Sequence, residues 1–369
     1  MGVGLFLPPT TTDVPLSLCS VCRRWRQVAL AVPSLWSTIK LNKSHSTKFV
    51  TTWLSRSGTL PIGVSFVLEA PGFRPRKSYQ HFKILFPISH RWQYLELRVL
   101  PAGTFRHLKS LSSDALPSLE TLSINHEGNI WAYEACPFGN VFNSAPRLRS
   151  VDVRGVRSDP LRMSLPWSQL TRFASDAYLS ASSCHRLLSR LPKLQSGHFK
   201  IWLASEVTRT PLKRLSLPDL ETLELSVASS IDDLIVSLVL PALRFIWIDW
   251  VQVGSWSHSK FLSFITPFSF NLHTLQLFAP PASEASIILS LCKLPSLIVL
   301  VLRDHPSLGF IGDRLISLLA YQGRGHQCLC TRLETLRLEA VFACQDALIA
   351  DMLESRWRID RVSYDVCHT

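Results

Sequence analysis

Short apolar figures of the form L-x-x-L-x-L recur along this chain. Clear copies are Trp92-Leu95-Leu97, Leu119-Leu122-Ile124, Leu148-Val151-Val153, Leu220-Leu223-Leu225, Leu243-Ile246-Ile248, Leu272-Leu275-Leu277, Leu297-Leu300-Leu302 and Leu333-Leu336-Leu338. Weaker copies run from Leu170 to Phe173, from Leu194 to Phe199, and through Ile359-Val362-Tyr364. Their first positions follow one another at spacings from 22 residues (148 to 170) to 36 (297 to 333), most between 23 and 29. Each copy puts two or three aliphatic side chains on one face of a short strand. One such strand cannot bury that face alone, whereas stacked neighbours can.

Between the strands, apolar residues fall at helical spacing. These segments are Cys184 to Leu191, Ile231 to Leu238, Phe261 to Ile265, Ile287 to Cys292, Leu315 to Ala320 and Ala347 to Leu353. Proline introduces many strands, as in Leu116-Pro117, Ala145-Pro146, Leu191-Pro192, Leu217-Pro218, Leu240-Pro241 and Leu294-Pro295, ending the helix before it and favouring extended backbone. A strand and a helix repeating at this period are the pattern of leucine-rich repeats. The sequence thus predicts an α/β chain: a leucine-rich-repeat-like solenoid, a horseshoe of short parallel strands with outer helices. A helical bundle would need runs of ten or more residues with an apolar position every third or fourth, and the bracketing prolines interrupt such runs.

The first ninety residues read differently. Leu18, Val21, Cys22, Trp25 and Val28 recur at steps of three and four and predict one helix with a buried stripe, opposite Arg23, Arg24, Arg26 and Gln27. Pro33 stops that helix, and Leu35, Trp36 and Ile39 lead into an extended segment ending at Leu41. Phe49, Val50, Trp53 and Leu54 mark a second helix between Ser44 and Ser57, closed by Gly58. A half-buried strand follows from Leu60 to Leu68, then a loop over residues 70–78. Residues 1–14 read as a loop. Three regions result: residues 1–41, a helical segment; residues 42–90, a connecting helix, strand and loop that cap the array; residues 91–369, the irregular repeat array.

Composition narrows the class. With 369 residues, 47% of them hydrophobic, the chain can bury a sizeable core. No apolar run reaches the roughly 18 residues that span a bilayer, since Lys293 and Pro295 break the longest. The start MGVGLFLPP lacks the basic segment of a secretory signal. These features predict a soluble protein of the cytoplasm and/or nucleus, with no membrane partner. Nine scattered cysteines do not form a disulfide framework, and the Cys19/Cys22 pair has no second pair at zinc-ligand spacing, so neither metal nor cofactor is expected. The net charge of +12 lies in the first 110 residues, where 15 Lys/Arg face three acids; the remainder balances, 24 against 24. No interleaved aromatic and basic motif accompanies that excess, so it reads as a solvated basic face rather than a nucleic-acid site.

No nucleophile elbow, phosphate loop, dinucleotide fingerprint, zinc-protease or kinase motif is present, and the histidines are dispersed, so the sequence does not read as an enzyme. A binding surface is better supported. Residues between the leucines of each strand should line the concave face: Tyr94, Glu96 and Arg98; Asp152 and Arg154; Lys200 and Trp202; Glu224; Phe245, Trp247 and Asp249; Gln276 and Phe278; Arg303; Arg337 and Glu339. Aromatic residues mixed with charges suit a protein partner, with Trp247 as the anchor.

The order Val21-Cys22-Arg23-Arg24-Trp25-Arg26, followed by Pro33-x-Leu35-Trp36, resembles the second half of the F-box in the large fungal, basidiomycete-type F-box family. Trp53-Leu54-Ser55-Arg56-Ser57-Gly58 extends the likeness. The family's opening Leu-Pro-x-Glu-Ile helix has no match, since Leu7-Pro8-Pro9 and threonines stand there. The segment is therefore a partial F-box, its N-terminal helix missing or degenerate. The resemblance implies the substrate-recognition subunit of an SCF-type ubiquitin ligase, in which the F-box holds a Skp-type adaptor and through it a cullin/RING ligase. Carried over for adaptor contact are Leu16, Leu18, Val21, Cys22, Trp25, Leu35 and Trp36. The repeat array would bind a protein substrate through Lys200, Trp202, Glu224, Phe245, Trp247, Asp249, Gln276, Phe278, Arg303 and Arg337. The alternative is a leucine-rich scaffold without ligase coupling, a truncated paralogue whose Val21 and Trp25 pack onto the first repeats.

Overall fold

The computed structural model describes residues 14–41, 45–67, 75–98, 108–112, 114–125, 140–155, 159–202, 211–252, 257–304, 309–321, 328–339 and 346–365. The chain divides into two compact units, residues 1–177 and 178–369.

In the first unit, helices α1 (Val14–Val21) and α2 (Arg23–Ala31) are followed by a 3₁₀ turn, Pro33–Trp36, and strand β1 (Thr38–Leu41). Helix α3 (Thr47–Arg56), strand β2 (Ile62–Val67), helix α4 (Pro75–Leu85) and strands β3 (Trp92–Arg98), β4 (Thr121–Asn125), β5 (Ser150–Arg154) and β6 (Arg172–Leu179) complete it. Every strand pairs in parallel with the next, β1 with β2 through β5 with β6. The pairing runs back to Thr38, so β1, within the helical segment of residues 1–41, and β2, within the residues 42–90 expected to cap the array, are two strands of the same ladder.

The second unit follows one plan. Helix α5 (Ala181–Leu188) precedes β7 (Ser196–Ile201), and a short β8 (Leu215–Ser216) precedes β9 (Thr222–Val227). Helix α6 (Asp232–Ser237) leads to β10 (Leu238–Val239), which pairs with β8. Then alternate β11 (Phe245–Trp250), α7 (His258–Ile265), β12 (Thr274–Phe278), α8 (Glu284–Leu291), β13 (Val299–Arg303), α9 (Asp313–Leu319), β14 (Thr335–Glu339) and α10 (Asp346–Asp365). Strands β7, β9, β11, β12, β13 and β14 form a parallel ladder in that order.

The register explains the sequence repeat. Leu223, Ile246, Leu275 and Leu300 are lateral partners and fully buried, as are Leu225, Ile248, Leu277 and Leu302. Identical apolar positions thus stack at the strand spacing of about 4.8 Å, and the helices between these strands bury apolar residues of their own. Among them are Leu187 and Leu188, Phe261 and Ile265, Ile287 and Leu291, and Leu315 and Leu319. The first unit adds an aromatic core of Trp36, Trp53, Phe66, Phe82 and Trp92.

Four expectations change. The single helix over Leu18–Val28 is two helices, because Cys22 adopts extended backbone (φ −158°, ψ 173°) and caps α2, its Sγ accepting from the Trp25 N–H at 3.5 Å. A three-and-four spacing that crosses such a cap no longer marks one face. The stripe is not buried either: Val21, Trp25 and Val28 are each more than half exposed, so Val21 and Trp25 do not pack onto the repeats. The loop assigned to residues 70–78 lies outside the described residues up to 74, and helix begins at Pro75, where a missing N–H is tolerated and Phe82 and Leu85 can reach the core. The weak repeat copy at Ile359-Val362-Tyr364 lies within α10, whose helical run continues to Asp365. Residues 1–13, including Leu7-Pro8-Pro9, lie outside the described residues. No helix among the described residues is long and apolar enough to cross a membrane.

Candidate functional site

Two surfaces carry the residues singled out from the sequence. The first is the α1–α2 pair. Arg26 fixes the break between the helices: its backbone N–H donates to the Cys22 carbonyl at 3.0 Å and its Nε to the Cys19 carbonyl at 2.7 Å. Pro15 and Ala29 are buried, while Val14, Leu16, Val21, Trp25, Val28 and Leu30 remain exposed, Val21 at 61% and Trp25 at 51%. Six large apolar side chains on two short helices are far more than a satisfied surface needs, and such a cluster is the usual mark of an interface. Cys22 is also exposed, and Leu18 and Leu35 are half-buried.

Trp36 departs from the adaptor set. It is 1% exposed; its Nε1 donates to the Ala29 carbonyl at 2.8 Å, its ring meets Trp53 edge-on at 4.8 Å, and the Arg56 guanidinium lies 4.4 Å over it. Trp53 in turn donates from Nε1 to the Thr38 carbonyl at 3.1 Å. Trp36 is therefore the pin that fastens α2 to α3, with no face left for a partner.

The second surface is the face of the second unit's ladder that carries the residues between the buried leucines. Three rows run across it. Phe245 lies beside Thr222 and Thr274; Trp247 lies between Glu224 and Gln276, with Val301 and Arg337 continuing the row; Asp249 lies beside Phe278, followed by Arg303 and Glu339. On β7, His198 and Lys200 are the partners of Glu224 and Ser226. The register thus gathers nine of the ten expected residues onto one face, and Trp202 follows directly after β7.

Side chains link these rows into a continuous surface. The His198 imidazole donates from Nδ1 to Glu224 Oε2 at 3.0 Å and its ring lies 5.9 Å from Trp247. Trp247 lies 5.8 Å from Phe278, and the Arg303 guanidinium covers Phe278 at 4.4 Å while donating to Asp249 Oδ1 at 3.0 Å. Tyr178 stacks on Trp202 at 4.8 Å, with Lys200 Nζ 6.0 Å from the Trp202 ring. Burial raises the Asp249 carboxyl above its ordinary value, and Arg303 only partly offsets it. Trp247 is half-buried, and its ring neighbours stand on β7 and β12 of this face. The arrangement can bind, because aromatic rings are held half-open by ion pairs that are already formed.

His198 and Tyr178 join this surface although the repeat pattern does not single them out. His198 sits in the weak copy from Leu194 to Phe199, where Gly197 replaces the expected leucine; a Cβ there would meet the Phe199 ring at 2.6 Å. The alternation itself was the available signal. The first unit's face is polar: Ser65 Oγ donates to Glu96 Oε2 at 2.6 Å, Arg98 pairs with Glu96, and Arg154 Nε lies 3.1 Å from Asp152. Burial, then the Glu96 charge, raises the Tyr94 phenol well above its usual range. Among the described residues no three His, Cys, Asp or Glu side chains cluster as a metal site.

No family model matches this chain, and no curated protein matches it. Among solved structures it is similar to one described as the structure of the Toll–Spatzle complex, a molecular hub in Drosophila development and innate immunity, at 10% identity and a TM-score of 0.30. That similarity covers 84% of this chain and 52% of the other, so the chain spans about half the length of that neighbour.

Proposed function

We propose that this protein is a substrate-recognition subunit of an SCF-type ubiquitin ligase, built as a partial F-box followed by a leucine-rich-repeat solenoid, and that it acts in the cytoplasm or nucleus. In this reading α1 and α2 hold a Skp-type adaptor through Leu16, Val21, Trp25 and their exposed neighbours. The face bearing Trp247, Phe278 and Arg303 takes the protein substrate. The observation that carries it is the exposed apolar cluster on α1–α2 in the stretch whose residue order resembles the F-box. Nothing in the reading requires catalysis or a cofactor, since ligase chemistry would belong to the cullin/RING partner.

Co-expression with a Skp-type adaptor and size-exclusion chromatography tests this. A stoichiometric complex that is lost in Trp25→Ala/Val21→Ser is expected; absence of any complex with the wild-type chain overturns it. The second reading, a leucine-rich interaction scaffold without ligase coupling, is favoured by Trp36, an adaptor-contact position that is fully enclosed.

A further inference from the structure

Strands β3, β4 and β5 of the first unit end side by side on Arg98, Asn125 and Arg154. Each arginine is fixed in one way: its Nε donates to the carboxylate two residues back on its own strand, Arg98 to Glu96 and Arg154 to both Asp152 oxygens at 3.1 Å. Glu96 is itself buried and held by Ser65. A guanidinium has five N–H donors, and this contact engages one, setting the plane while the terminal Nη groups stay open. Among the described residues those Nη groups and the Asn125 amide make no hydrogen bond, and the two arginine side chains are 34% and 50% exposed.

We propose that this row binds a phosphomonoester dianion. Two strand spacings separate the arginines by about 10 Å. A tetrahedral anion hydrogen-bonded on both flanks, at about 2.8 Å per bond, fills such a gap, with Asn125 beneath it as a third donor. A lone carboxylate satisfies only one fork. The row lies at the carboxyl ends of three adjacent parallel strands. Glu96 and Asp152 balance the two arginines, Asp176 is occupied by the Gly155 N–H at 2.8 Å, and Lys40 lies in register beside Ser65 on the same face. The excess of 15 basic over three acidic residues in the first 110 positions draws an anion toward this unit. The substrate face and the α1–α2 cluster play no part in it.

Titration of the full-length chain with inorganic phosphate and with O-phospho-L-serine, followed by calorimetry at low and moderate salt, tests the site. Saturable one-site binding is expected, weakened roughly tenfold in Arg154→Gln and a few-fold in Asn125→Ala. Arg98→Gln uncovers the buried Glu96 and can unfold the unit, so Arg154→Gln, at the more exposed position, is the deciding variant, with its fold checked by circular dichroism. No saturable binding, or unchanged affinity in folded Arg154→Gln, overturns the proposal. So does an oligonucleotide without terminal phosphate that displaces O-phospho-L-serine at lower concentration than phosphate does.

Discussion

The Arg303 guanidinium reaches across one intervening strand to donate to the Asp249 carboxylate at 3.0 Å. Phe278, on that strand, is the surface over which it lies. The raised Asp249 carboxyl gives this pair a pH signature. A carboxyl whose folded pKa exceeds its unfolded pKa binds its proton more tightly when folded, so its contribution to stability falls as pH rises from its unfolded pKa toward its folded one. Asp249→Asn therefore removes a destabilising slope across that window. Wild-type and variant thermal midpoints should diverge as pH is raised through the carboxylate range in favour of the variant. A wild-type curve without that slope difference would contradict the assignment.

The two tryptophans of the F-box-like stretch should behave oppositely. Trp36→Ala empties a fully buried site and strands its neighbours' packing, a loss of about 3–5 kcal/mol in unfolding free energy. Trp25→Ala removes an exposed side chain and should shift stability by about 0.5 kcal/mol or less. Denaturant titration separates them, and adaptor binding should respond to Trp25 in the folded variant.

Cys22 acts as a helix cap through sulfur, a weak acceptor. Cys22→Ser places a preferred capping oxygen there and should keep α2 intact, while Cys22→Ala should lose about 1 kcal/mol. Circular dichroism melts of the two variants provide the comparison.

Thiol reactivity should follow burial. Burial pushes the Cys330 thiol up to about 12 and raises Cys184 further, whereas Cys22 and Cys292 are exposed. Brief alkylation of the native chain at neutral pH, read by mass spectrometry, should label Cys22 and Cys292 and spare Cys184 and Cys330.

Arg356 on α10 donates to the carbonyls of Leu319 at 2.7 Å and Leu329 at 2.8 Å, tying the end of α9 to the segment before β14. Arg356→Lys keeps the charge but cannot serve both carbonyls with one planar fork, and should cost about 1–3 kcal/mol. Hydrogen exchange should then quicken at the end of α9 and over residues 328–330 while β11 and β12 stay protected.

Much of this was legible in the sequence because a period-two strand repeated at near-constant spacing has one way to bury its leucines, against copies of itself. Alternation alone assigns Leu223, Ile246, Leu275 and Leu300 inward, and Glu224, Trp247 and Gln276 outward. Spacing alone could not show that Cys22 breaks a helix, since a cap depends on backbone angles. Nor could it show that Trp36 faces Trp53 while Trp25 faces solvent, because both are bulky apolar residues in an apolar context. Which strand neighbours which, and so the meeting of His198 with Glu224 and of Asp249 with Arg303 across 54 residues, is a matter of register. Local patterning was enough to set the repeat and its inward and outward faces. Which outward side chains touch, and which apolar ones stay open, is set on folding, because both depend on contacts between residues far apart in the chain.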